Sequence, residues 1–142
     1  MEDKEGKQKV VVAALIRNET GKILLQKRVD PVNAEAHDKW EFPGGLVEFG
    51  EDPKDAVIRE CKEEMMCTIK IISLLPFLYT KVWHKIDGQT VQVFISCFEA
   101  KITEGIPRPG DLSEVSEVQW YTKKEAATLN VLPGTNEFIA LL

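Results

Sequence analysis

A glycine turn followed by an acidic helix is the feature that most constrains this chain. The stretch from Trp40 to Glu64 reads W-E-F-P-G-G-L-V-E-F-G-E-D-P-K-D-A-V-I-R-E-C-K-E-E. Glu60, Glu63 and Glu64 are spaced i, i+3 and i+4, so a helix places all three on one face. Like charges at this spacing repel by a few tenths of a kcal/mol per pair unless something neutralises them. The stretch therefore predicts either a solvated acidic helix face or a cation site beside a tight turn.

The composition predicts one domain and excludes some partners. The 142 residues suit a single domain, 1–142, with residues 1–8 as a flexible tail. The formal net charge of −5 provides no basic field for a nucleic-acid duplex. The N-terminus has no apolar signal region, and no apolar run approaches the roughly 20 residues that span a bilayer. Three cysteines without C-x-x-C spacing indicate buried thiols in a reducing compartment, so we expect a cytoplasmic protein.

Apolar runs and turn signals predict more strands than helices. We expect a mixed β-sheet packed between helices. This arrangement is an α/β/α sandwich of the α+β class. Strands 10–16 and 22–27 are expected to form a hairpin around the Asn18–Gly21 turn. Pro76 is expected to separate strands 69–75 and 77–82. The remaining predicted elements are a loop at 29–39, strands 40–42, 91–102 and 117–121, a hairpin turn at Asp87-Gly88, a loop at 105–112, and helices from about 53 to 65, 123–129 and 136–142.

The context of the acidic helix favours the cation site. A solvated face does not require Gly44-Gly45 upstream, nor Glu51 in the loop. A Mg²⁺ site uses oxygen ligands, and the carbonyl of a tight glycine turn is a suitable extra ligand. Arg59 points to a different helix face, and its natural role is to hold Glu51 by a bidentate contact.

These residues resemble the Nudix box: glycine, five residues, Glu, seven residues, Arg-Glu, an apolar residue, any residue, and Glu-Glu. Six positions match in register, namely Gly45, Glu51, Arg59, Glu60, Glu63 and Glu64. The resemblance runs from Val10 to Leu141 and is strongest to the MutT type. Met66 and Cys67 depart from it, because the box usually has a glycine and an aliphatic residue there. A left-handed methionine would cost roughly 1 kcal/mol, or the helix ends differently.

The resemblance implies a Nudix fold and a catalytic set of Glu60, Glu63, Glu64, Arg59 and Glu51. It implies that Gly44, through its carbonyl, joins Glu60, Glu63 and Glu64 as ligands of Mg²⁺, with Mn²⁺ as an alternative. Glu60 would help to deprotonate the attacking water. The resemblance also implies one further acidic metal ligand from a loop late in the chain. Glu114 is the first candidate for it and Glu117 is the second.

The resemblance also implies substrate-binding roles for Arg28, Phe42, Gly45 and Asn136. An asparagine offers a donor and an acceptor to a purine edge, and an aromatic ring stacks on it. The structural alternatives are a charge at a strand end for Arg28, a core residue for Phe42 and a helix N-cap for Asn136.

The implied function is a pyrophosphohydrolase that converts a nucleoside triphosphate to the monophosphate and pyrophosphate, and that removes oxidised or non-standard nucleotides. One alternative keeps the chemistry but acts on ADP-ribose, a dinucleoside polyphosphate or a nucleotide sugar. Another is a non-catalytic module that senses a nucleotide. The expected partner is a small nucleotide, with no duplex and no membrane, in a monomer or homodimer.

Overall fold

The computed structural model describes residues 6–142 and contains two β-sheets with helices packed on them. The strands are β1 (Lys7–Ile16), β2 (Ile23–Arg28), β3 (Trp40–Glu41), β4 (Gly44–Leu46), β5 (Thr68–His84), β6 (Thr90–Glu104) and β7 (Val115–Tyr121). The helices are α1 (Pro53–Met65), α2 (Lys123–Ala126) and α3 (Thr135–Ile139). This is the predicted α+β class. Of the predicted tail, Lys7 and Gln8 instead belong to β1, and residues 1–5 lie outside the described residues.

Two sheets replace the single sheet that the sequence predicted. The larger has the order β4-β1-β6-β5 and is mixed, because β1 runs parallel to β6 while its other pairs are antiparallel. The smaller has the order β3-β2-β7 and is antiparallel. The chain from β3 through the glycine turn to β4 therefore passes from one sheet to the other.

The predicted hairpin between the first two strands is wrong. Both edges of β1 are taken, one by β4 and one by β6, so β2 has no free edge to pair with. In residues 6–142 the strand-type pairing at this point is a bridge between Arg17 and Ile23. The turn itself forms as expected, since the Asn18 side chain accepts from the backbone N–H of Thr20 and Lys22.

The predicted break at Pro76 is also wrong, because β5 is continuous through it. The pairing of β5 with β6 shifts register between Leu74 and Leu78. Such an irregularity leaves room for a residue that lacks an N–H, so Pro76 lies in a bulge and the strand does not end there. The hairpin turn at Asp87-Gly88 joins β5 to β6 as predicted, with Gly88 at a φ of 85°.

Helix α1 packs its apolar side on the larger sheet. Asp52 caps the helix by accepting from the N–H of Lys54, and Pro53 occupies the first turn. Ala56, Val57, Cys61 and Met65 are all fully buried in one core cluster. The three cysteines are free and buried, as predicted. Among residues 6–142 we find no helix with the length and apolar character that crossing a bilayer requires.

The C-terminal end of α1 has a left-handed residue that is not glycine. Met66 has a φ of 61° and a ψ of 31°, and its N–H donates to the carbonyl of Lys62. The helix thus ends in the geometry that normally selects glycine. Because the Met66 side chain is exposed, little packing offsets the cost of this conformation.

We expect Met66→Gly to raise the free energy of unfolding by about 1 kcal/mol, because glycine adopts a positive φ without a Cβ penalty. Urea denaturation of the two proteins measures the difference. Met66→Ala is the control, since alanine shortens the side chain but keeps the Cβ, and it should give no gain. An equal gain from both variants would show that the methionine side chain, and not its φ, carries the cost.

Candidate active site

The acidic face of α1 lies against the glycine turn. Glu64 Oε2 accepts from the backbone N–H of Gly44 at 2.8 Å. The carboxyl group of Glu60 lies so close to Gly45 that a Cβ added there would be within 3 Å of it. Glu63 is more open, with 58% of its side chain exposed. The helix and the turn thus hold two carboxylates in place, and the third is exposed to solvent.

The absence of a side chain at both glycines is what permits this packing. At Gly44 a Cβ would collide with the carbonyl oxygen of Val12, which belongs to the buried strand β1. At Gly45 it would collide with the Glu60 carboxyl group. The first glycine therefore brings the turn close to the sheet, and the second makes room for a functional side chain.

Burial and, to a lesser extent, mutual repulsion raise the pKa values of two carboxylates at the site. Burial raises the pKa of Glu60, and the charges of Glu63 and Glu114 raise it further, while Arg59 opposes them. Burial raises the pKa of Glu64 well above its usual range, with Glu41 and Glu60 adding to the effect. A bound cation would relieve this repulsion.

The donor set fits a hard divalent cation by its chemistry, because it consists of oxygens alone. Among the described residues, no group of three or more His, Cys, Asp or Glu side chains is positioned to hold a metal ion. One oxygen of Glu60 accepts from Arg59 Nη1 at 2.9 Å, and one oxygen of Glu64 accepts from Gly44. The remaining carboxylate oxygens are those that a cation and its phosphate ligands would take up.

Arg59 makes the contact with Glu51 that the sequence predicted. Its Nε and Nη2 each donate to one oxygen of Glu51 at 2.9 Å, and Nη2 also donates to the carbonyl of Leu46 at 3.1 Å. The expectation that Arg59 points away from the acids is wrong, since Nη1 also donates to Glu60 and reaches Glu63 at 3.4 Å. Arg59 therefore ties the loop before α1 to the acidic face.

The clamp predicts a pH dependence of stability. Arg59 and the N–H of Glu48 lower the pKa of Glu51 to about 2. A carboxyl group with a lowered folded-state pKa stabilises the fold above its ordinary pKa, and this contribution is lost as the pH falls towards the folded-state value. We expect Glu51→Gln to unfold at lower urea concentration than the parent at pH 7, and the difference to shrink as the pH falls from 4.5 towards 2.

The control for this measurement is Glu104→Gln, which removes an exposed charge near the end of β6. Its midpoint should follow that of the parent across the same pH range. A difference between Glu51→Gln and the parent that stays constant below pH 4.5 would contradict the clamp.

The loop after β6 packs on the end of α1 and brings Glu114 near the site. The N–H of Gly110 donates to the carbonyl of Glu64 at 2.9 Å, and that of Arg108 donates to Met65 at 3.1 Å. Glu114 follows, exposed, and its charge acts on Glu60. Glu117, the other candidate, lies in β7 opposite Lys27. Of the two candidates, Glu114 is therefore the one whose charge raises the pKa of Glu60.

A cavity of about 230 Å³ opens beside the glycine turn. Gly44 and Gly45 line the cavity and also contact the acidic face of α1, so the cavity and the acidic site are adjacent. Its aromatic wall consists of Phe42, Tyr79, Trp83 and Phe138. Its polar lining includes Lys9, Arg28, Asn33, Glu41, Lys85 and Thr135. Its size and aromatic walls suit a planar heterocycle.

The predicted substrate-binding residues are only partly brought together. Arg28 and Gly45 line the cavity. Phe42 lines it too, although it is 7% exposed and belongs to a core cluster, so both of its predicted interpretations apply. Asn136 lies in α3 but is exposed, and its neighbour Thr135 is the residue that reaches the cavity.

The sequence analysis did not identify two polar residues next to the site, Gln26 and Glu41. Gln26 is 1% exposed, and its Nε2 donates both to Glu41, at 3.3 Å, and to Glu64, at 3.2 Å. Arg28 Nη1 donates to the other oxygen of Glu41 at 3.1 Å. The available signal was a glutamine directly after the apolar run Ile23–Leu25. The acid between Trp40 and Phe42 was a second signal.

Comparison with known proteins identifies the family. The model of the NUDIX domain matches residues 7–142. An 8-oxo-dGTP diphosphatase from Haemophilus influenzae is 34% identical over 100 residues, which cover 70% of this chain and 69% of that protein. An 8-oxo-dGTP diphosphatase from Escherichia coli is 42% identical over 66 residues, which cover 45% of this chain and 48% of that protein. The chain thus spans about half the length of the Escherichia coli relative.

Solved structures agree on the fold. A MutT protein from Methanosarcina mazei superposes with a TM-score of 0.78 at 24% identity, over 97% of this chain and 94% of that one. A MutT NUDIX hydrolase from Burkholderia pseudomallei gives a TM-score of 0.77 at 23% identity, over 96% and 98% of the two chains. The chain belongs to the NUDIX family, as its box predicted.

Proposed function

We propose that this protein is a divalent-metal-dependent pyrophosphohydrolase that acts on nucleoside triphosphates. The observation that carries the proposal is that the acidic face of α1 and an aromatic cavity both adjoin the turn at Gly44 and Gly45. A base held in the cavity would place its phosphates at the carboxylates. The relatives named 8-oxo-dGTP diphosphatase support a triphosphate substrate and favour an oxidised one. The free, buried cysteines are compatible with action in the cytoplasm.

Glu60, Glu63 and Glu64, the Gly44 carbonyl and Glu114 would hold Mg²⁺ or Mn²⁺. The bound cation would supply charge stabilisation for the phosphates and lower the pKa of water. Arg59 fixes the Glu51 loop and restrains Glu60, so the carboxylates are positioned before substrate arrives. Glu60 would take a proton from the attacking water, which is the role that the resemblance to the family implies for it.

The overall reaction adds one water across the anhydride between the α- and β-phosphates. The bond between phosphorus and the bridging oxygen breaks, and the products are the nucleoside monophosphate and pyrophosphate. The residues of this chain contribute positioning and electrostatic complementarity, which are the main sources of catalysis in phosphoryl chemistry.

We expect phosphate release from a triphosphate panel to require added inorganic pyrophosphatase, because the direct product is pyrophosphate. The panel contains unmodified and oxidised dNTPs, ADP-ribose and a dinucleoside polyphosphate, each with Mg²⁺ and with EDTA. Chromatography of the nucleotide products detects turnover of ADP-ribose and the dinucleotide, because their hydrolysis releases neither phosphate nor pyrophosphate. Phosphate released without pyrophosphatase would contradict cleavage between the α- and β-phosphates. Turnover confined to ADP-ribose or the dinucleotide would overturn the substrate and keep the metal site. Absence of turnover and of nucleotide binding would overturn the proposed function as a whole.

A further inference from the structure

The polar wall of the cavity contains a carboxylate that the mechanism above does not use. Glu41 lies in β3, lines the cavity, and has 13% of its side chain exposed. Burial raises the pKa of Glu41, and the hydrogen bonds from Arg28 to its Oε1 and from Gln26 to its Oε2 oppose that shift by favouring the ionised form. Arg28 is itself held by Asp30 at 2.7 Å. Glu41 is thus fixed in orientation at the edge of the cavity.

Glu41 has acceptor capacity to spare. An ionised carboxylate offers about four lone-pair sites, two on each oxygen. The hydrogen bonds made by described residues use one site on each oxygen. A ligand that presents two adjacent N–H groups would match the remaining pair.

Asn33 provides a second, independent observation that favours a polar ligand in the cavity. Its side chain lines the same cavity and is only 3% exposed. Its Oδ1 is buried and has no hydrogen-bond partner among residues 6–142. A buried polar atom without a partner is unfavourable, and a bound donor would remove that cost.

We infer that Glu41 is the specificity-determining residue of the base cavity and selects a base with two neighbouring N–H donors, as guanine presents at N1 and the 2-amino group. The inference rests on the proposed function. Adenine and cytosine place a ring-nitrogen lone pair beside their amino group, so they would direct a lone pair at the carboxylate. Thymine and uracil flank their one N–H with two carbonyl oxygens, which a carboxylate repels. Oxidation of guanine at C8 leaves the N1 and 2-amino edge unchanged.

Binding of the monophosphates dGMP, dIMP and dAMP tests this without hydrolysis, by calorimetry in EDTA. Inosine keeps the N1–H and lacks the 2-amino group. We expect dGMP to bind the parent protein at least about tenfold more tightly than dIMP, and dAMP to bind most weakly, because one hydrogen bond to a charged group is worth about that factor. In Glu41→Gln the ratio of dGMP to dIMP affinity should fall towards one, since an amide offers one acceptor oxygen.

Glu35→Gln is the matched control, because it makes the same substitution at an exposed glutamate that is not among the residues that line the cavity. It should keep the ratio. A dGMP to dIMP ratio near one in the parent protein would overturn the inference even if Glu41→Gln does not fold. An unchanged ratio in a folded Glu41→Gln would also overturn it, and would assign Glu41 to the positioning of Glu64 through Gln26. Equal affinity for the three monophosphates would overturn the inference about Glu41 and leave the proposed function intact. Absence of binding to any nucleotide would contradict both the inference and the proposed function.

Discussion

Replacing Glu63 with glutamine is expected to lower kcat by roughly 10²- to 10³-fold while the protein stays folded. The substitution keeps the size of the side chain and removes its charge. Because Glu63 is 58% exposed and its one described ion pair is long, at 3.4 Å, little of the folded structure depends on it. Turnover of the best nucleotide from the panel measures the effect, and circular dichroism with thermal denaturation checks the fold.

Asp55→Asn is the matched control, since Asp55 is an exposed acid in the first turn of the same helix. It removes the same charge from the same helix away from the glycine turn. We expect it to retain most of the parent turnover. Near-parent kcat in a folded Glu63→Gln would exclude Glu63 from the metal site and favour a solvated acidic face.

Substitutions of the two glycines of the turn are expected to have different effects, one on turnover and the other on stability. In Gly45→Ala the new methyl group meets the Glu60 carboxyl group, which is the end of a side chain that can move. The fold should survive with a stability change below about 1 kcal/mol, but a displaced Glu60 should lower kcat by about 10²-fold. In Gly44→Ala the methyl group meets the backbone of Val12 and Ala13, which cannot move without disturbing the core. That variant should lose at least about 2 kcal/mol of stability.

Urea denaturation and turnover, measured on both variants, separate these effects, and each variant serves as the control for the other. Gly45→Ala at full turnover would show that Glu60 does not need its present position. An undiminished stability of Gly44→Ala would show that the turn does not depend on close contact with β1.

The acidic helix could be predicted because its geometry is local. The spacing of Glu60, Glu63 and Glu64 decides which side chains share a face, and the contact between Arg59 and Glu51 follows from one loop and one helix. The family followed from the same residues. The roles of these residues in catalysis remain predictions.

The errors come from contacts between distant parts of the chain. Strand β2 looks like the hairpin partner of β1 until β4 and β6 occupy both edges of β1. Pro76 predicts the end of a strand, but β5 continues through it because β5 pairs with β6 on both sides of the proline. Gln26 and Glu41 come together with Glu64 only because β2 pairs with β3 and the pair lies beside α1. No local pattern contains that information.

Binding of Mn²⁺, followed by its electron paramagnetic resonance signal, tests the central claim most directly, namely that the carboxylates of α1 hold a divalent cation. The parent protein and Glu64→Gln would be titrated alone and with the monophosphate product. We predict that the parent binds Mn²⁺, that the product tightens binding, and that Glu64→Gln weakens it at least about tenfold. Equal Mn²⁺ affinity in both proteins, together with hydrolysis that continues in EDTA, would contradict the account.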